Sequence, residues 1–260
     1  MMELLIFFIG GISAGLLGGY LGIGGGIIII PLLYFVFGLS PAFAVGTCIL
    51  AVFFTTLGGS IRHYKLGHVN ISSLLPIIIA GVVSTVAFSF LFLYFTKREE
   101  WLNLGLGLIF TFISVRMIIE VMLFKKENSK SNGNRLQGSL FQKTAIGSVA
   151  GILPGVFGIG TGAILVPAFH HILKAPIKIS IGSSLTCFAF CAFVSAAFKI
   201  SQGFVIFDVA IPICLGTFIG SNIGAILNKR TAPRILKLMF GIAFLYVSLK
   251  YIFKFFGVHI

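Results

Sequence analysis

The chain has 260 residues, 58% of them hydrophobic and only 10% charged, with a mean hydropathy of +1.11. Soluble domains carry roughly 25% charged residues, so too little polar surface is present to cover a water-soluble body of this size. The net charge of +13 does not indicate nucleic acid, because the Lys and Arg residues fall in short loops between apolar runs, where they set membrane topology.

Several apolar runs reach about 18 residues, the length that crosses a bilayer, and predict an all-α polytopic membrane protein. Segment 1 is residues 4–21; Glu3 and no basic residue precede it, so it does not read as a cleaved signal peptide. Gly22-Ile23-Gly24-Gly25-Gly26 then interrupts the apolar run. Segment 2, residues 27–37, would span only ~17 Å as a helix, about half of a ~30 Å bilayer core, and is expected to be a half-helix or a re-entrant piece. After a turn at Gly38-Leu39-Ser40-Pro41 comes segment 3, residues 42–61, and a basic loop at 62–68 that holds Arg62, His63, Lys65 and His68. Segments 4 and 5 are residues 71–95 and 101–124. The polar stretch 125–142 reads as a flexible linker.

The order then recurs. Segment 6 is residues 143–157, the second break is Gly158-Ile159-Gly160-Thr161-Gly162, and segments 7 to 10 are residues 163–173, 179–200, 205–227 and 235–256. Landmarks repeat at an offset of 136 residues: Gly15 with Gly151, Pro31 with Pro167, Gly46 with Gly182, Gly67 with Gly203 and Pro76 with Pro212. One membrane domain is therefore expected, with a first repeat at 1–124, a cytoplasmic linker at 125–142 and a second repeat at 143–260. Five segments per half make the repeats inverted. Of the 19 Lys and Arg residues, Lys97, Arg98, Lys199, Lys250 and Lys254 fall on one side, Arg116 lies within segment 5, and the rest fall on the other. The positive-inside rule makes that second side the cytoplasm and puts both termini outside. The expected location is a prokaryotic plasma membrane.

A helix that stops inside hydrocarbon leaves backbone groups unpaired, which is tolerated where they line a wet cavity. The N-terminus of a resuming half-helix carries partial positive charge and free N–H donors. Glycine at Gly24, Gly25, Gly26, Gly160 and Gly162 lets a ligand approach that backbone without a Cβ in the way. Two breaks brought together by inverted symmetry predict an anion site near the midplane. Close helix packing is the alternative use of these glycines, and is the expected role of Gly216, Gly220 and Gly224 and of Gly147, Gly151 and Gly155. Neither a phosphate-loop nor a dinucleotide pattern is completed.

The repeated Gly-Gly-Gly element with a following Pro, together with Gly46-Thr47-Cys48-Ile49, Gly182-Ser183-Ser184-Leu185 and the stretch from Arg62 to Asn70, resembles the TauE/SafE sulfite exporter family, also called TSUP transporters. The resemblance covers nearly the whole chain apart from the linker. It implies export of sulfite or small organosulfur anions such as sulfoacetate, driven by the proton gradient. At Cys48 the first half carries a thiol where the second half has Ser184.

Few polar residues lie in the apolar segments. Thr47, Ser183, Ser184 and Thr186 could donate to sulfonate-type oxygens or bond to their own helix carbonyls. The substrate-binding set is thus Gly24, Gly25, Gly26, Thr47, Cys48, Gly160, Thr161, Gly162, Ser183 and Ser184. Arg116 and Glu120, four apart on one helix face, and His63 are candidates for coupling or gating. Asp208 reads as a helix N-cap. No spacing of His170, His171 or the four Cys gives a metal framework, and no cofactor is expected. The expected partners are a small anionic substrate and the lipid bilayer, not nucleic acid; a homo-oligomer is compatible with the sequence. A passive anion channel and an importer of another small anion use the same features. An intramembrane Ser/His hydrolase lacks any recognisable catalytic spacing.

Overall fold

The computed structural model describes residues 2–123, 136, 138–227 and 234–255. Most of the expected linker at 125–142 and nearly all of the basic loop at 228–234 lie outside the described residues, as does the end of the chain.

Among the described residues every regular element is helical. The helices are α1 (Met2–Leu21), α2 (Gly26–Pro31), α3 (Pro41–Lys65), α4 (Ile71–Thr96), α5 (Glu99–Leu123), α6 (Leu140–Phe157), α7 (Gly162–Pro167), α8 (Ile177–Ser201), α9 (Phe207–Leu227) and α10 (Arg234–Phe255). Eight are long and apolar enough to cross a membrane; α2 and α7 are short. Directly after Pro31 and Pro167, each of which removes an N–H from the ladder, the chain widens into a π turn, at Leu32–Val36 and Ala168–Ile172. Bounds of α2, α7 and these turns repeat at the 136-residue offset, as do those of α3 and α8.

Several ends differ from the expected ones for identifiable reasons. α6 starts inside the expected linker, because Ser139 and Gln142 form a capping box: Gln142 N donates to Ser139 Oγ at 3.2 Å and Ser139 N to Gln142 Oε1 at 3.1 Å. α3 runs past Ile61 to Lys65 and ends only where Gly67 turns left-handed at φ 74°, with His68 N donating to His63 O at 3.0 Å. Arg62, His63 and Lys65 therefore sit in the last turn of a helix, not in a loop. Asp208 lies within the first turn of α9 rather than at its cap.

The chain divides into two compact units. The first holds residues 1–92 and 131–229. In it the first helix of each copy packs against the fourth helix of the other. On the α1–α9 pair, a Cβ at Gly11, Gly15 or Gly19 would meet the backbone of Ile213, Thr217 or Ser221, and one at Gly216, Gly220 or Gly224 would meet that of α1. On the α4–α6 pair, Gly147 and Gly151 press on the carbonyls of Ile77 and Gly81. Such contacts bring two backbones together in a way only glycine permits. α3 and α8 pack on each other and are the most enclosed of the long helices. Leu75, Ile79, Val83, Phe90, Phe190 and Phe193 are exposed, an apolar surface suited to lipid.

The second unit holds residues 93–130 and 230–260. Here α5 and α10 pack through stacked rings of Phe110 and Tyr251, 5.7 Å apart, and through hydrogen bonds from Thr111 Oγ1 to Ser248 Oγ at 3.1 Å and from Ser114 Oγ to Gly241 O at 2.5 Å.

A bulky residue at a backbone-to-backbone glycine should therefore destabilise far more than one at an open turn. Gly220→Leu and Gly151→Leu are expected to lose at least ~1–3 kcal/mol to overpacking, read as a large drop in detergent melting temperature or in recovered monodisperse protein. Gly203→Ala, with open space around it at φ 78°, should cost only the ~1–2 kcal/mol of left-handed strain.

Candidate functional site

The two glycine-rich breaks meet. In the first, Gly22, Gly24 and Gly25 have φ of 73°, 86° and 76°, a conformation that favours glycine. The curl lets Ile23 N and Gly24 N donate back to Gly18 O at 3.1 and 3.4 Å, and Gly25 O receives Ile28 N and Ile29 N as α2 begins. In the second break, Gly158 is left-handed at φ 62° and Thr161 O receives Ile164 N and Leu165 N, both at 2.8 Å.

A Cβ at Gly160 would collide with Ile23 O, and one at Gly162 with Gly22 O. At Gly26 it would stand 3.4 Å from Gly158 O. Glycine at Gly160 and Gly162 thus lets the two breaks touch, while at Gly26 it makes room for Val52 of α3. Cys48 Sγ donates to Gly26 O at 3.6 Å, and Ser184 Oγ reaches across to Gly22 O at 3.3 Å. Gly24 is enclosed by Val52, Thr56 and Phe188.

The expected hydroxyl donors divide. Thr47 Oγ1 accepts Ile206 N at 3.1 Å and so anchors the chain before α9. Thr186 Oγ1 donates to Gly182 O at 2.9 Å and pairs with Ser60 Oγ at 2.8 Å. By contrast, the hydroxyls of Thr161 and Ser183 are buried and have no partner. Thr161 stands at the start of α7, where a threonine ordinarily caps the helix's own N–H groups; here it makes no such bond.

Arg116 and Glu120 lie one turn apart on α5, in the second unit. His63 is fully buried; its Nδ1 lies 3.2 Å from His68 Nδ1, and its Nε2 has no partner. Burial, and then the Lys178 ammonium, hold His68 below the ordinary histidine range.

Lys199, counted above with the loop charges, is wholly buried inside α8. Its Nζ donates to Gly155 O at 2.7 Å and lies 3.5 Å from the centroid of the Phe92 ring. One turn earlier Ser195 Oγ donates to Pro154 O at 2.6 Å. The 136-residue offset was the available signal, since it pairs Lys199 with His63.

Residues 7–251 match the family model described as "Sulfite exporter TauE/SafE". The chain is 23% identical to the probable membrane transporter protein YunE of Bacillus subtilis over 97% of its own length and 98% of that protein. It is 27% identical to YdhB of the same organism over 86% and 89%, and 24% identical to the probable membrane transporter protein MJ0441 of Methanocaldococcus jannaschii over 92% and 91%. No solved structure matches the chain. Helices fit for the bilayer, a family model spanning nearly every described helix, and full-length likeness to transporter proteins together show that this chain is a multi-pass membrane transporter belonging to the sulfite exporter TauE/SafE family.

Proposed function

We propose that the protein exports small sulfur-containing anions, sulfite or an organosulfonate such as sulfoacetate, by alternating access coupled to the proton gradient. The observation that carries this reading is the buried, unpartnered hydroxyl of Thr161 within the second of the crossed breaks, with a second such hydroxyl at Ser183, next in sequence to the Ser184 that reaches Gly22 O. An unmade buried hydrogen bond costs ~1–3 kcal/mol, and a sulfonate-type oxygen supplies the missing acceptor. Family membership supports the substrate class. In this reading the repeats are inverted, the short helices α2 and α7 reach only part-way through the bilayer, and the two crossed breaks form the site at mid-depth. The anion is drawn from the cytoplasm by the basic face and released outside when one copy rocks against the other.

Reconstituted protein should drive sulfite against its concentration gradient when a pH gradient is applied; flux that only runs down the sulfite gradient would mark a channel instead. Ser183→Ala and Thr161→Val each remove an orphaned hydroxyl, so melting temperature in the absence of ligand is expected to hold or rise. Sulfite affinity should fall about 10-fold or more, since a hydrogen bond to a charged group contributes ~1.5–3 kcal/mol. Wild-type affinity in both variants would refute the site.

Topology is testable separately. With both termini outside, a protease site inserted near Lys130 should be cut in inside-out vesicles and protected in intact cells; the opposite pattern would reverse the orientation.

A further inference from the structure

Among the described residues, His63 and Lys199 are the two fully buried basic side chains, each at 0% exposure. They occupy the same place in the two copies. Each lies in the last turns of its helix, α3 or α8, and each backbone carbonyl accepts the N–H five residues on, His68 N to His63 O and Phe204 N to Lys199 O, both at 3.0 Å. A left-handed glycine, Gly67 or Gly203, closes both turns.

Among the described residues, no carboxylate is found on the helices that touch Lys199: α4, α6 and α8 carry no Asp or Glu. α4 presents Phe92, and its Tyr94 is exposed; α6 presents the Gly155 carbonyl, with Lys143 at its far end. α3 meets the turn after α8 through Gly46 and Thr47, and its titratable group at this end is Cys48. On α8 itself Cys191 lies two turns earlier, and Asp208 is exposed in the first turn of α9. Beside His63 stands His68, which in turn faces Lys178 of α8; on its own helix are Arg62, Tyr64 and Lys65, and Gly182 of α8 lies against its Cβ.

Gly155 lies in the last turn of α6, where carbonyls lack helical partners. A neutral donor would serve there, as the Ser195 hydroxyl serves Pro154. An ammonium buried without a carboxylate is a costly substitute, and its special property is that it titrates. We propose that Lys199 and His63 are the proton-binding groups of this transporter, one in each copy of the repeat; the inference rests on the export reading above. The Lys199 amine takes one proton from water to become the ammonium that bonds Gly155 O, and returns it to water when that bond opens. The His63 imidazole takes and returns one proton at Nε2, its atom without a partner.

The test uses full-length protein in proteoliposomes with sulfite as probe, comparing wild type with Lys199→Gln, Lys199→Met and Lys199→His. Two quantities are read in the same vesicles: sulfite exchange at equal pH, and accumulation under a one-unit pH gradient, which sustains about tenfold accumulation per coupled proton. The expected result is exchange within about threefold of wild type in Lys199→Gln and Lys199→Met, with the accumulation ratio falling to about one. Lys199→His should recover accumulation with its pH optimum moved to lower pH, because histidine titrates below lysine. His63→Gln should lower accumulation in the same way. Wild-type accumulation by Lys199→Gln, whose amide keeps a donor for Gly155, overturns the inference while leaving export intact. Loss of exchange in both neutral variants marks a structural cap and overturns it too. Absence of sulfite movement in the wild type overturns the export reading and this inference together.

Discussion

A helix that ends within an apolar surround must find partners for its last carbonyls, because neither lipid nor packed side chains will supply them. This chain meets that constraint twice, differently each time. At the end of α1 the backbone curls through left-handed glycines, and Gly18 O is satisfied from within by Ile23 and Gly24. At the end of α6 the donors come from outside, from Ser195 and Lys199 of α8. The first solution requires a run of glycines. The second requires α8 to lie alongside, so the second break depends on tertiary packing in a way the first does not.

That packing is built by exchange between the copies. α1 lies on α9 and α6 on α4, each through glycines that bring backbones into contact. Three glycines of each first helix press on the other copy, so neither half should be stable without the other. The breaks then have little freedom. Gly160 and Gly162 press on the carbonyls of the first break, and Ser184 ties α8 to Gly22. A rocking motion between copies would have to work at these few contacts.

The order of helices, both interruptions and their spacing were legible in the sequence, because glycine and proline mark chain breaks by sterics that need no tertiary partner. Each short helix taken together with its π turn, Gly26–Val36 and Gly162–Ile172, lies within one residue of the expected ends for the same reason. What stayed hidden depended on distant partners. Thr47 was indistinguishable from Ser183, its repeat mate, until Ile206 N took the Thr47 hydroxyl. His63 looked like a loop residue because basic residues cluster around it; only Gly67, at φ 74°, shows where the helix stops. Lys199 looked like a flanking charge, and its burial follows from the closeness of α4 and α6, which composition does not report.

The breaks also differ in what they offer. Of the expected site hydroxyls, the two without a partner, Thr161 and Ser183, belong to the second copy, and the 136-residue offset places them opposite Gly25 and the satisfied Thr47 of the first. On the export reading an anion at the crossing would thus meet hydroxyl donors from one copy and bare glycine backbone from the other. Hydroxyl donors keep their geometry only while α7 and α8 stay packed together, whereas a glycine run can follow the ligand by adjusting its own dihedrals. The second copy would then orient the guest and the first would adapt to it, so two copies that began with one pattern come to do different work at a shared site.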